Sequence, residues 1–246
     1  MSDPTNYQVN ITMSGDTVIA LQQNNYQLYG FKAVDGPASA VPVIWFSTND
    51  FSATTKILWS EQYAGYTASS SALAPMTEVQ ASFSAPMSLG QIMDVGIGGI
   101  GTVANDGTPG ELSILNTVTT PYTCGVSVLN TTTNESNPIC AFPLFGNGLD
   151  TFVPVEVVYL TFATQSLNTG TVIEQTFAQG VTIDMTGQTA PVNVTFDINN
   201  GWTGPGILTV YPPTADLKKL LVNPGGPQAT SFRAGQRRRL LLGRAA

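Results

Sequence analysis

The fold is decided by residues 153–162, VPVEVVYLTF, a run with a single charged side chain. Val155 and Val157 fall on one side of an extended chain, while Val158 and Leu160 fall on the other. A strand that is apolar on both faces is covered on both sides, as at the centre of a packed sheet. The stretch therefore predicts a central β-strand.

Similar runs recur along the chain, bounded by Gly, Pro, Asn or Asp, and bring the prediction to about a dozen strands. They occupy residues 26–34, 41–47, 55–63, 78–84, 111–116, 124–129, 170–177, 181–186, 192–198 and 207–211. Near the N-terminus, the alternating run 7–13 is followed by Ser14-Gly15 and an apolar run at 16–22, which predicts a β-hairpin. Because no helical pattern of about 10–15 residues separates the strands, we expect an all-β, single-domain, mainly antiparallel β-sandwich.

One short C-terminal helix is predicted over residues 214–222, TADLKKLLV, with Thr214 as a suitable N-cap. Beyond it the composition changes, because all five arginines of the chain fall within residues 233–246. We therefore divide the chain into a β-sandwich domain at 1–223 and a disordered basic tail at 224–246. A basic arm that docks on a polyanion and a read-through extension are the alternative interpretations of this tail.

Charge is scarce and unevenly placed, since 10% of residues are charged and the net charge is −7. Residues 1–217 contain all 16 acidic residues but only Lys32 and Lys56 as bases, a balance of −14. Such a surface cannot neutralise a phosphate backbone, so we exclude nucleic acid as a partner of this acidic body. The chain has no histidine, which removes the Ser-His-Asp and Cys-His nucleophile systems.

No motif of the chain predicts catalysis, and we expect a non-enzymatic protein without a cofactor or a metal. GIGGIG at residues 96–101 matches the glycine pattern of dinucleotide-binding loops. The Asn, Asp, Gly and Pro residues that follow it preclude the helix that such a loop requires. We therefore interpret this segment as a glycine-rich strand.

Pairs of carboxylates hydrolyse glycosides without histidine when a bound sugar separates them by about 5–9.5 Å. Glu156, inside the most apolar strand, is the best candidate for a raised pKa. An edge position or a hydroxyl partner would explain this residue without catalysis. The long acids considered for the pair are Glu61, Glu78, Glu111, Glu156 and Glu174.

The two cysteines, Cys124 and Cys140, are close enough in sequence for neighbouring strands to hold them side by side. Two states of this cysteine pair are compatible with the sequence, namely a disulfide and two buried reduced thiols. The N-terminal sequence has neither the cationic nor the apolar region of a secretion signal, so we expect a cytoplasmic protein, in which reduced thiols are favoured. No stretch reaches the roughly 20 apolar residues of a membrane-spanning helix, so we expect no transmembrane segment.

Aromatic and amide side chains supply the candidate ligand site. Trp202 lies in NNGWTGPG, where its ring has little apolar cover from neighbouring residues and is free to stack on a sugar. Asn199 and Asn200 precede it and offer amide hydrogen bonds. Tyr63 and Tyr66, in EQYAGYTASS, form a second exposed-aromatic candidate. We expect these five residues to bind a neutral polar ligand.

A charge-poor surface rich in hydroxyl and amide groups suits neutral ligands. The sequence therefore favours a non-catalytic, lectin-like recognition protein that binds a neutral polar ligand such as a glycan. The alternative is a self-associating structural, storage or intracellular-crystal protein, a homo-oligomer, because low charge removes the repulsion between copies. A pore-forming toxin is the third hypothesis.

Overall fold

The computed structural model describes residues 4–69 and 73–222, which fold mostly as β-strands. The strands are β1 (Asn6–Thr12), β2 (Gln27–Asp35), β3 (Val41–Pro42), β4 (Phe46–Thr48), β5 (Thr54–Ala68), β6 (Phe83–Met87), β7 (Ile92–Val95), β8 (Gly101–Ala104), β9 (Leu112–Asn116), β10 (Tyr122–Asn130), β11 (Glu135–Leu144), β12 (Leu149–Ala163), β13 (Gly180–Asp184), β14 (Val192–Asp197), β15 (Gly201–Thr203) and β16 (Leu208–Tyr211). They are accompanied by the helices α1 (Gly15–Gln23) and α2 (Leu217–Leu221). The predicted tail at 224–246 and the domain end at residue 223 lie outside the described residues.

The strands form two eight-stranded sheets. The first has the order β15-β14-β1-β5-β10-β11-β3, with β6 paired to β5. The second has the order β16-β13-β12-β9-β7-β8, with β2 paired to β12 and β4 to β2. Pairing between the described strands is antiparallel apart from β1 with β14 and β7 with β9. The predicted all-β, mainly antiparallel fold class is thus confirmed.

Strand β12 is central to the second sheet, as its sequence predicted. It pairs with β2 on one side and with β13 on the other, while its first residues pair with β9. Val158 and Leu160 are fully buried in the core between the sheets, where Val9 of β1 also lies. Tyr159 belongs to a second apolar cluster, on the outer side of this sheet, together with Leu217 of α2. The two apolar faces of β12 therefore serve two separate cores.

The short C-terminal helix is confirmed, but Thr214 does not cap it. Helix α2 begins after Asp216, whose Oδ1 accepts a hydrogen bond from the Lys219 backbone N–H at 3.0 Å. Thr214 precedes the helix with a φ of 68°, in the left-handed region. Asp and Thr are both favoured at the N-cap position of a helix, so the sequence alone does not distinguish Asp216 from Thr214. The left-handed turn at Thr214 places the start of the helix at Asp216.

The hairpin predicted near the N-terminus is wrong, because residues 15–23 form helix α1. The Ser14 hydroxyl caps the helix by accepting from the Thr17 backbone N–H at 3.1 Å, and Thr17 and Leu21 bury one face at helical spacing. Strand β1 instead pairs with β14 and β5. The apolar run at 16–22 is short enough to fit both the two-residue period of a strand and the 3.6-residue period of a helix. The N-cap serine is the signal that favours the helix.

Within residues 4–69 and 73–222, neither α1 nor α2 is long and apolar enough to cross a bilayer, and these ranges contain no other candidate helix.

Candidate functional site

The indole of Trp202 is buried, so the prediction that it is an exposed stacking platform is wrong. Its side chain is only 4% exposed. The ring stacks on Phe162 of β12 with centroids 5.6 Å apart, and it lies 4.9 Å from the ring of Phe196. Phe196 and Trp202 face each other across the β14–β15 pair. Apolar cover for the indole thus comes from residues far along the chain, which the local sequence does not reveal.

Asn199 and Asn200 are exposed, but they form the turn between β14 and β15 instead of flanking an aromatic surface. Their backbone N–H groups donate to Asp197 Oδ1 at 3.0 and 2.9 Å, and the Asn200 amide donates to the same oxygen at 2.9 Å. These hydrogen bonds lower the pKa of Asp197. The pattern is that of an Asx turn.

Tyr63 and Tyr66 are also buried, on opposite faces of β5. The Tyr66 hydroxyl donates to the Cys140 carbonyl oxygen at 2.7 Å, and burial raises its pKa well above the ordinary value. The Tyr63 hydroxyl donates to Glu156 Oε1 at 3.3 Å. The two rings belong to different apolar clusters. The five residues predicted to bind ligand are therefore not brought together.

Cys124 and Cys140 are reduced and buried, so the disulfide alternative is wrong. Their strands β10 and β11 are neighbours, but Cys124 lies opposite Phe142 and Cys140 lies opposite Val126. The thiols are thus diagonal to each other in the sheet. Burial raises the pKa of Cys140 to about 12, which keeps this thiol protonated and unreactive near neutral pH.

A different group of side chains forms an open cleft of about 410 Å³ at one end of the sandwich. It lies where the C-terminal end of α1, the start of β2, the loop after β4 and the segment after β12 meet. Its walls consist of uncharged side chains from Gln22, Asn25, Tyr26, Gln27, Asn49, Phe51, Thr164 and Ser166. The cleft is therefore a neutral site of amide, hydroxyl and aromatic groups.

The α1–β2 turn builds one wall of the cleft. Helix α1 ends at Gln23 with Asn24 as its C-cap, and Asn25 adopts a φ of 54°, a left-handed conformation that Asn tolerates better than most residues. The Tyr26 backbone N–H then donates to the Leu21 carbonyl at 3.0 Å, which closes the turn. The opposite wall is fixed by Phe51, whose buried ring packs edge-on against Phe162 at 5.4 Å.

Several polar groups of the cleft are available to a ligand. Within the described part of the chain, the side chains of Asn25, Asn49, Thr164 and Ser166 make no hydrogen bond, and all four are exposed. Sequence reasoning missed this site because it assigned residues 16–22 to a strand. The signals were the Ser14 cap and the Asn24-Asn25 pair, which together mark the two ends of a helix.

A second polar cluster lies inside the sandwich around Glu156. Lys32 Nζ contacts Glu156 Oε2 at 2.7 Å, and the side chains of the pair are 0% and 12% exposed. The Trp59 indole N–H donates to the same oxygen at 3.2 Å, and Tyr63 donates to the other oxygen. Burial lowers the pKa of Lys32, with Glu156 acting in the opposite direction. A hydroxyl partner was one of the two non-catalytic explanations considered for Glu156, and Tyr63 supplies it, whereas the pairing with Lys32 was not predicted.

Glu61 and Glu78, two of the other acids considered for a glycosidase-like carboxylate pair, accept hydrogen bonds from side chains other than those around Glu156. Glu61 Oε1 accepts from the Tyr7 hydroxyl at 2.7 Å, and the Tyr7 ring stacks on Trp59 at 5.3 Å. Burial raises the pKa of Tyr7 most, and the hydrogen bond that its hydroxyl donates to Glu61 raises it further. Glu78 accepts from Asn168 at 3.0 Å near the surface. In the two described ranges, no three Cys, Asp or Glu side chains are grouped so that they could hold a metal ion.

The glycine-rich segment 96–101 is a hairpin corner, so its assignment to a strand is wrong for all but Gly101. A 3₁₀ turn at Ile97–Gly99 joins β7 to β8, and Gly98 and Gly99 have φ angles of 77° and 75°. No helix follows it, as expected from the residues after it. Ile97 is 87% exposed, an unusual position for an apolar side chain.

Comparison of the chain with protein-family models, with curated proteins and with solved structures finds no match. The function is therefore inferred from the residues and the geometry of the chain itself.

Proposed function

We propose that the protein is a non-catalytic recognition protein that binds a neutral polar ligand, with a glycan as the favoured class, in the cleft between α1 and the end of β12. The single observation that carries this proposal is the composition of the cleft. The side chains that line it are uncharged, and four of them have polar groups without a partner among residues 4–69 and 73–222. Such groups both donate and accept hydrogen bonds, as sugar hydroxyls require.

The size and surface of the cleft support the same ligand class. Its volume of about 410 Å³ lies within the range of about 300–1,000 Å³ that is typical of small-molecule sites. Tyr26 is half-buried, so its ring contributes apolar contact while its hydroxyl stays available. None of the described residues that line the cleft is basic, which disfavours anionic ligands such as phosphates.

A glycan array with the full-length protein, followed by titration calorimetry on the strongest hit, tests this proposal. We expect Asn49→Ala and Ser166→Ala each to weaken binding by about tenfold, since each removes a hydrogen-bonding group. Asn199→Ala is the matched control, because Asn199 is an exposed amide outside the cleft, and it should bind like the wild type. Absence of binding to any sugar at millimolar concentration, or equal loss in Asn49→Ala and Asn199→Ala, would refute the proposal.

Self-association is a second candidate, favoured by exposed apolar side chains at one end of the second sheet. The loops there adjoin, because the Thr117 backbone N–H donates to the Val95 carbonyl at 2.9 Å and the Asn116 amide donates to the Phe145 carbonyl at 3.2 Å. No charged residue occurs in segments 96–101, 117–122 and 145–149. We call this surface the apolar end and define it by four exposed apolar residues. Their exposed fractions are 87% for Ile97, 62% for Ile100, 67% for Phe145 and 56% for Leu149.

Two copies of the chain would meet through this apolar end without charge repulsion, whereas most of the acidic body would repel. Sedimentation over a hundredfold concentration range should then show an assembly that the double variant Ile97→Asn/Phe145→Asn abolishes. Ile19→Asn, on α1, is the control, because Ile19 is 52% exposed but lies outside the apolar end. A wild-type protein that stays monomeric throughout excludes this second function.

A further inference from the structure

We infer that Lys32 and Glu156 condense to an intramolecular amide bond that joins β2 to β12. The amine and the carboxyl group lie 124 positions apart in sequence, and the folded chain brings Nζ and Oε2 to 2.7 Å. The Lys32 side chain is 0% exposed. The inference concerns the interior of the sandwich and is independent of the cleft.

A β-bulge lies beside these two side chains. In the β2–β12 ladder, Val155 lies opposite Ala33 and Val158 lies opposite Lys32, so two residues of β12 have no counterpart in β2. Glu156 is one of these two residues. It shares a face of β12 with Val158, whose side chain lies in the core between the sheets, and this alternation directs its carboxylate toward Lys32.

The surroundings of the Lys32 amine exclude water. Its Nζ lies 4.8 Å from the ring centroid of Trp59 and 5.9 Å from that of Trp45. Both indoles are fully buried and pack edge-on against each other at 5.9 Å. In such a site the neutral amine of Lys32 is favoured relative to its state in water, because burying an ion is costly. Burial accordingly lowers the pKa of Lys32.

Each oxygen of the Glu156 carboxylate has one donor, so whichever oxygen becomes negative during the reaction is in contact with an N–H or O–H group. The Trp59 indole N–H contacts Glu156 Oε2 at 3.2 Å, and the Tyr63 hydroxyl contacts Oε1 at 3.3 Å. Positioned donors of this kind stabilise the tetrahedral intermediate of acyl transfer. Holding the amine against the carboxyl group also replaces a bimolecular encounter by a unimolecular step.

The atoms balance without any further reactant. The ammonium of Lys32 first transfers one proton to the Glu156 carboxylate, which leaves an amine and a carboxylic acid. The nitrogen lone pair then attacks Cδ of Glu156 and forms the new C–N bond. The C–O bond to the protonated oxygen breaks, a second proton from the nitrogen joins the departing hydroxide, and one water molecule leaves. The products are a neutral amide and water.

The composition of the chain makes a plain ion pair a poor explanation for Lys32. Residues 1–217 contain two bases, and one of them is fully buried. A buried ion pair is commonly no more stabilising than apolar residues of the same volume, so charge pairing alone gives little reason to keep it. An amide removes both charges and keeps one carbonyl oxygen as an acceptor for Trp59 or Tyr63.

Intact mass spectrometry of the full chain under denaturing, acidic conditions tests the inference. The covalent bond survives such conditions, whereas an ion pair does not. We expect the wild type to be lighter than its sequence mass by one water molecule. A tryptic digest should then lack the separate peptides 1–32, 33–56 and 57–218 and instead contain 1–56 joined to 57–218.

Two variants locate the reaction. Lys32→Arg keeps the positive charge but removes the nucleophilic amine, and its mass should equal its sequence mass. Lys56→Arg changes the exposed lysine and should keep the loss of water. A wild-type mass equal to the sequence mass overturns the inference, and so does a loss of water that the digest places outside the Lys32–Glu156 pair. Both readouts are taken on unfolded protein, and the wild-type mass alone decides whether the bond exists, independently of how well either variant folds.

Discussion

The cleft and the Glu156 cluster use polar side chains in opposite ways, although both draw on β2 and β12. The cleft, at one end of these strands, is open and lined by neutral amide and hydroxyl groups. The Glu156 cluster is closed, and it places Lys32 and Glu156 beside indole rings. Exposed neutral groups remain free to exchange water for a ligand, whereas buried ionisable groups must find partners within the fold. The comparison separates a region suited to binding from one committed to the fold.

The largest effect on this comparison should come from Glu156→Ala. The change leaves the amine of Lys32 without a carboxylate in a site with no solvent exposure. We expect the free energy of unfolding to fall by about 3–5 kcal/mol, the usual cost of breaking a buried pair from one side. Urea denaturation followed by tryptophan fluorescence measures it, since Trp59 is in contact with the carboxylate.

The matched control for this loss is Glu135→Ala, which removes an exposed carboxylate at the start of β11. Its free energy of unfolding should stay within about 0.5 kcal/mol of the wild type. If Glu156→Ala and Glu135→Ala lower the free energy of unfolding by the same small amount, the Glu156 cluster does not stabilise the sandwich. The contrast with the cleft would then be wrong.

A smaller effect is expected at the cleft from Ser14→Ala, which removes the N-cap of α1. The Thr17 backbone N–H then loses its acceptor at 3.1 Å, and the free energy of unfolding should fall by about 1 kcal/mol. Because Gln22 and Asn25 depend on the end of this helix, ligand affinity should fall as well. Thermal unfolding and calorimetry with the glycan identified on the array measure the two effects.

Ser14→Asp provides the comparison for this helix cap, since a carboxylate accepts the same hydrogen bond and favours the helix dipole. Stability and affinity close to the wild type are expected for it. If Ser14→Asp lowers ligand affinity as much as Ser14→Ala does, the affinity of the cleft does not depend on the N-cap hydrogen bond, and the prediction is wrong.

Local patterns in the sequence predicted those elements whose signal is contained within a few residues. The two apolar faces of residues 153–162 identified β12 as a central strand, because side-chain alternation depends only on the extended backbone. The run TADLKKLLV at residues 214–222 predicted α2, because the spacing of apolar side chains in a helix also depends only on neighbouring residues. The apolar run at 16–22 was assigned to a strand because its length fits both periods, and this error hid the wall of the cleft.

By itself, the sequence determined the β-rich class, the central strand, the short C-terminal helix and the acidic, histidine-free chemistry that limits function. Only the tertiary structure decided that Trp202 is buried under Phe162, that Lys32 meets Glu156, and that amides from α1 face hydroxyls beyond β12. Composition and periodicity are properties of neighbouring residues. Burial and pairing are properties of segments that meet through the sheets, and they depend on which strands pair and in which register.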